Sequence, residues 1–185
     1  MFCVWDYVPY DCGFVFVRDP TYLRGSFSTS AAYLSLDELP TVWNALDFSA
    51  ENSRRFRALS VWCALRAAGR AGYREIVERS IHNAALFAAW VEEQPLLELM
   101  APAHLNIVCF RVLSEGDSDA GTDALNSTVI DMIQRGGIAY VTPTRWQGRG
   151  AIRAAFDNWA TATDDVYALE QAVAEAVAIG RHRAE

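Results

Sequence analysis

The order of apolar segments after Pro95 constrains the fold of this chain more than any other feature. Leu97 to Met100 and Leu105 to Val112 read as strands, while Leu125, Val129, Met132 and Ile133 recur at helical spacing and are closed by Gly136-Gly137. Ile138 to Thr142 and Ala151 to Phe156 read as two more strands joined by a Pro/Thr/Gly/Arg-rich turn. A last helix is expected from Thr163 to about Ile179, turning Val166, Leu169, Val173 and Val177 inward before Gly180. The order β, β, α, β, β, α predicts a small antiparallel sheet backed on one face by helices. The acidic stretch from Ser114 to Asp119 reads as an exposed connection.

Upstream, Ser53 stands where a helix N-cap is wanted, and Phe56, Leu59, Trp62 and Cys63 follow on one face until Gly69. A second helix from Ala71 to Glu93 carries Val77, Ile81, Ala84, Ala85, Ala88 and Val91 at helical spacing, with Pro95 just beyond; the pair is expected to form an αα-hairpin. The aromatic residues Phe56, Trp62, Phe87 and Trp90 read as core or dimer contact. Further back, Phe14 to Val17, between Gly13 and Asp19-Pro20, reads as a buried strand. Thr21 to Ala50 reads as a long irregular loop with one helical turn near Leu36 to Leu46. So apolar an opening leads to the expectation that the chain starts partway through a larger unit.

An apolar fraction of 52% suffices for one sizeable core. The net charge of −7 offers no basic field for a phosphate backbone, which argues against nucleic acid and against an anionic membrane surface. No apolar run reaches the length of a membrane span, about 18 residues or more, so a cytoplasmic chain is expected. The cysteines are widely spaced, and Cys63 and Cys109, inside apolar stretches, read as buried thiols; with His82, His104 and His182 also dispersed, no metal site is expected. All 16 basic residues are arginine. With no lysine, no side chain of this chain can form a Schiff base.

Several strings carry a resemblance when taken together: Tyr10-Asp11-Cys12-Gly13, Asp19-Pro20, Ala32-Tyr33-Leu34, Ser53-Arg54-Arg55-Phe56-Arg57-Ala58-Leu59, Trp62, and Leu105-Asn106-Ile107-Val108-Cys109-Phe110-Arg111. From about Trp5 onward, in order and spacing, they resemble the group II pyridoxal-phosphate-dependent amino-acid decarboxylases, the family of the aromatic-amino-acid, histidine and glutamate decarboxylases. The resemblance implies an α/β chain forming the C-terminal part of a fold-type I enzyme. Residues 1–58 would be the end of the large cofactor-binding domain with a mobile catalytic loop, and residues 59–185 the small α+β domain with its connecting helices. In the family the lysine that binds the cofactor lies in a His-Lys-Trp triplet; Trp5 matches its tryptophan, whereas Cys3 and Val4 stand where His and Lys belong.

The same resemblance implies three site residues. Tyr33 matches the loop tyrosine that delivers or relays a proton to the substrate Cα, which suits a phenol because it stays protonated at neutral pH; an ordinary loop tyrosine is the alternative. Arg153 stands where some members pair an arginine with the substrate carboxylate, a group its planar fork fits; the alternative is a structural ion pair. Ser53 would help bind the cofactor phosphate at a helix N-terminus, or serve as a simple N-cap. The implied function is decarboxylation of an amino acid, a small-molecule substrate, with pyridoxal 5'-phosphate, in a homodimer or with a partner chain supplying the large domain, the present residues being incompetent alone. A non-catalytic interaction protein, or one chain of a split enzyme, is the rival expectation.

Overall fold

In the computed structural model the chain divides into two compact units, Met1–Ala64 and Leu65–Glu185; the structure describes residues 12–27, 45–51, 53–114 and 119–182. In the first unit Asp19 caps a short helix, α1 (Thr21–Phe27), its Oδ1 accepting from Thr21 N at 2.9 Å and from Thr21 Oγ1 at 2.7 Å. Pro20 precedes the helix, where its missing N–H costs nothing. These two hydrogen bonds lower the pKa of the Asp19 carboxyl. The Arg24 guanidinium stacks over the Phe48 ring at 5.4 Å and lies 3.8 Å from Asp47, tying α1 to a 3-10 turn over Ala45–Phe48.

Helix α2 (Ala58–Glu93) carries the chain from the first unit into the second, with one non-helical residue, Gly69 (φ 63°, ψ −177°). The expected αα-hairpin is therefore corrected: an antiparallel pair needs a loop of about 2–5 residues, and Gly69 alone separates the two helical stretches.

The second unit holds strands β1 (Leu97–Leu99), β2 (Ile107–Val112), β3 (Thr142–Trp146) and β4 (Arg149–Ala155), and helices α3 (Asp119–Gly136) and α4 (Thr163–His182). The strands form a 4-stranded sheet in the order β1-β2-β4-β3, with every neighbouring pair antiparallel. Register sets Val108 opposite Ala154 and Phe110 opposite Ile152, and these pairs form the core face, packed with residues of α2, α3 and α4. At its centre Phe87 of α2 meets Phe110 edge-on at 5.4 Å and stacks with Trp90 at 5.6 Å. Burying each such side chain contributes roughly 1.5–3 kcal/mol. The loop before α4 is held to α2 by Arg79 Nη2 donating to Trp159 O at 2.5 Å and Asn83 Nδ2 donating to Thr161 O at 3.1 Å.

Pairing of β2 with β4 stops at Phe110 opposite Ile152, and α3 takes over the ladder from there. Val112 N donates to Asn126 Oδ1 at 2.9 Å, and Asn126 Nδ2 donates to Val112 O at 2.9 Å and to Thr122 O at 2.7 Å. Alongside it, Asp123 Oδ1 accepts from Gly150 N at 3.1 Å and from Nη2 of Arg111 at 2.9 Å; Arg111 is only 1% exposed. A Cβ on residue 150 would lie 2.5 Å from that oxygen, so this approach needs glycine.

The order β, β, α, β, β, α after Pro95 matches the sequence reading, and Val166, Leu169, Val173 and Val177 are all buried. Other expectations are corrected. Strand β3 begins at Thr142 rather than Ile138, because β3 is an edge strand where Pro143 leaves no central ladder bond unmade. The turn is only Gln147 and Gly148 (φ 49° and 82°), a two-residue loop of the type that matches strand twist. Phe14 makes a single bridge, while Val15 and Phe16 are more than 80% exposed, so the apolar run is not a buried strand. Cys63 is exposed and Cys109 half-buried. On α2 the buried face runs through Ile76, Ala84, Phe87 and Val91, with Ala85 exposed, because the bulk of Phe87 sets the face. Phe87 is core as expected, whereas Phe56 and Trp62 are exposed in the described structure. The helical turn expected near Leu36 to Leu46 lies largely outside the described residues; Ala45–Phe48 forms the 3-10 turn at its end. Among the described residues no helix is long and apolar enough to cross a membrane.

Replacing Asn126 with Ala strips both backbone groups of Val112, which is fully buried. We expect a loss of about 2–4 kcal/mol in a urea titration. A second test uses pH. Burial, with the Glu93 carboxylate adding, raises the Glu170 pKa above 4.5. A raised folded-state pKa contributes stability that is present below the unfolded value and lost as pH rises through the folded one. Glu170→Gln is therefore expected to raise the melting temperature at pH 7, with the gain vanishing below pH ~4.

Candidate functional site

Because the helices pack on one face of the sheet, strand alternation turns a second set of side chains the other way. Arg153 on β4 stands in register with Cys109 of β2 on one side and Thr142 of β3 on the other. Its side chain is half-buried and makes no hydrogen bond or ion pair among the described residues. The carboxylate that the register places on the same face is engaged: Glu98 holds Arg149 through Oε1 at 2.9 Å and Oε2 at 2.7 Å. Asp123 is likewise engaged by Arg111. A half-buried guanidinium without an internal anion is poised for a carboxylate from elsewhere, which it can grip with two parallel N–H bonds. Burial pushes the neighbouring Cys109 thiol up from 9.0, which keeps it protonated and a poor nucleophile at neutral pH.

The first unit has its own concave feature, a cavity of about 1050 Å³. Phe14, Phe27, Phe48 and Phe56 supply aromatic wall, and Arg54 and Arg55 line it with positive charge. Ser53 is not among the lining residues; it is exposed and lies ahead of α2, which starts at Ala58. This corrects the N-cap expectation: the chain runs through Arg54, Arg55 and Phe56 without helical structure, so the Ser53 hydroxyl is too far upstream to cap the first turn. Tyr33 lies outside the described residues.

Of the sequence-derived site residues, the structure thus places Arg153 in the second unit and Ser53 in the first. Sequence reasoning missed the shared wall of Phe14, Phe27 and Phe48, which come from separate segments with no common period. It also missed the Arg111–Asp123 pair, signalled only by an arginine inside an otherwise apolar strand. Among the described residues no group of three or more His, Cys, Asp or Glu side chains is arranged to hold a metal ion.

Comparison with known proteins gives a consistent result. Residues 4–113 match the family described as the pyridoxal-dependent decarboxylase conserved domain. The chain is 31% identical over 182 residues to an aromatic-L-amino-acid decarboxylase of Bacillus atrophaeus, covering 95% of this chain and 38% of that protein. It is 31% identical over 141 residues to a tryptophan decarboxylase of Camptotheca acuminata, covering 75% of this chain and 28% of that one. The chain therefore spans about a third of the length of these relatives. Among solved structures, Oryza sativa TDC with PLP and tryptamine superposes with a TM-score of 0.80 at 24% identity, over 89% of this chain and 35% of the other. Mouse CSAD in apo form gives 0.69 at 15% identity, over 86% and 34%. These two likenesses bear on the fold.

The unpaired state of Arg153 separates its two readings. If it served a structural ion pair, Arg153→Gln would destabilise the unit by 3–5 kcal/mol, the usual cost of breaking a buried pair. We expect instead a change within about ±0.5 kcal/mol in denaturant unfolding.

Proposed function

Since this chain belongs to the pyridoxal-dependent decarboxylase family, we propose that it supplies the carboxylate-orienting part of an amino-acid decarboxylase that works with pyridoxal 5'-phosphate. The observation that carries this reading is Arg153, half-buried on the sheet face away from the helix layer and without a counter-ion among the described residues. When bound, the cofactor would supply an electron sink for the pair left at Cα when the bond to the carboxylate breaks and carbon dioxide departs. Arg153 would grip the carboxylate and fix its direction. Tyr33 would hold a proton for the substrate Cα, and Arg54 and Arg55 would line the approach of an anionic group in the first unit. In this reading residues 1–58 are the end of the cofactor-binding domain and residues 59–185 the small domain, working in a cytoplasmic homodimer or with a partner chain.

The residues present do not fit the covalent hold on that cofactor. Holding its aldehyde needs a primary amine on a side chain, and every basic residue among the 185 is arginine. Guanidinium stays protonated at neutral pH and cannot take that role. The amine is therefore assigned to residues outside these 185, and Ser53, exposed and away from a helix start, is a weaker phosphate ligand than Arg54 or Arg55.

The test is made on the assembly purified from its native source through a tag on this chain. Borohydride reduction followed by peptide mass spectrometry is expected to find phosphopyridoxyl lysine only outside residues 1–185. The assembly is expected to release carbon dioxide from an aromatic amino acid, and Arg153→Gln to raise KM at least tenfold. An assembly without phosphopyridoxyl lysine that releases no carbon dioxide from any protein amino acid would overturn the proposal in favour of a non-catalytic interaction protein.

A further inference from the structure

A second, smaller cavity lies in the second unit between α3 and the β3–β4 hairpin, one to two residues along the strands from the Arg153 row and on the α3 side of the sheet. Its volume, about 290 Å³, sits at the lower limit of ligand pockets, roughly 300–1,000 Å³. That size excludes a nucleotide and admits a molecule as large as an amino acid. Ile130 and Pro143 give an apolar floor, and Ser127 brings a hydroxyl group to the wall; Ala151 and Thr144, a register pair whose side chains alternate to the Arg153 face, border it from the sheet.

The charges in this cavity are arranged unusually. Asp123 uses Oδ1 for Arg111 and Gly150, while its Oδ2 accepts no hydrogen bond. Nη2 of Arg145 lies 3.8 Å from Oδ2, within reach of a loose ion pair but too long for a hydrogen bond. Arg145 is pinned in place by donating from the same nitrogen to Gly148 O at 2.6 Å, in the hairpin turn. A fixed carboxylate oxygen and a fixed guanidinium thus face one small cavity with a gap between them. A lone ammonium there would meet Arg145, and a lone carboxylate would meet Asp123. A molecule carrying both charges on adjacent atoms satisfies both walls.

We propose that this cavity is a binding site for a free α-amino acid, the ammonium on Asp123 Oδ2 and the carboxylate on Arg145, separate from the substrate-carboxylate position at Arg153. It gives the small domain a means of sensing the amino-acid pool. The inference does not rest on the decarboxylase reading, since it concerns binding by these residues alone.

The test uses the 185-residue chain with L-alanine and L-tyrosine as probes, followed by isothermal calorimetry and by amide chemical shifts. Both probes are expected to bind and to shift the amides of Asp123, Thr144 and Arg145. Ethylamine and acetate, each carrying one charge, are expected to bind at least tenfold more weakly. Arg145 is 69% exposed, so Arg145→Gln is expected to fold normally and to weaken L-alanine binding at least tenfold. Arg153→Gln is expected to leave it unchanged, which keeps this site and the catalytic reading distinguishable. No binding of either probe at 20 mM, unchanged affinity in Arg145→Gln, or loss of binding in Arg153→Gln would each overturn the inference.

Discussion

The architecture of the second unit depends on how one buried cation is neutralised. Arg111 is almost wholly removed from solvent on β2, and a guanidinium in that position is tolerated only with an anion and hydrogen-bonding partners beside it. Asp123 supplies the anion from α3. It approaches that closely because residue 150 has no side chain, and its position brings Asn126, one turn further along α3, against the backbone of Val112. One helix thereby completes a sheet whose strands have parted. The ion pair fixes both the depth and the rotation of α3, and with them the packing of Leu125, Val129 and Ile133 into the core. A well-packed apolar group in place of the pair would match it in energy but would not dictate the helix register in the same way.

That register settles what the rest of the unit presents. With α2, α3 and α4 all contributing to one core, one set of strand side chains enters that core and the alternate set turns to the opposite face. A strand in such a sheet alternates strictly, so Ile152 and Ala154 in the core commit Arg153 to the opposite side. The bidentate hold of Arg149 on Glu98 then engages an anion that the register places on that face. Among the described residues Arg153 makes no ion pair, and the Glu98 carboxylate on its face is held by Arg149. Position, burial and unmet charge thus arise from the folding pattern itself, before any ligand is considered.

Much of this was legible in the sequence, and the rest was not for identifiable reasons. Helix α4 was legible because its apolar residues keep one period over the whole element and nothing competes with it. The strands β2 and β4 were legible from β-branched and small apolar runs, whereas Arg153 was singled out by the family resemblance alone. Strand β3 was misplaced because Pro143 and two threonines look like a turn, and only the sheet order reveals that an edge strand accepts them. The cap assigned to Ser53 failed because four residues after it stay out of the helix, and a hydroxyl can cap only the turn it directly precedes. The Asp123–Arg111 contact is 12 residues apart in sequence with a turn of chain direction between, so no local pattern announces it.

The composition carries a last consequence. Arginine and lysine are both cations, yet they divide the work of an amino-acid decarboxylase between them. Guanidinium is permanently charged and planar, which suits holding a carboxylate in a fixed direction; an amine is needed where the cofactor's aldehyde must be captured and released. This chain is furnished wholly with the first kind, 16 arginines and no lysine. On the proposed reading, orientation of the substrate carboxylate and covalent capture therefore reside in different stretches of polypeptide. Arg153 needs only the sheet that holds it, and that sheet is complete within the second unit. The orienting function can thus be carried by a folded unit that performs none of the covalent chemistry, because the two tasks call on different properties of a basic side chain.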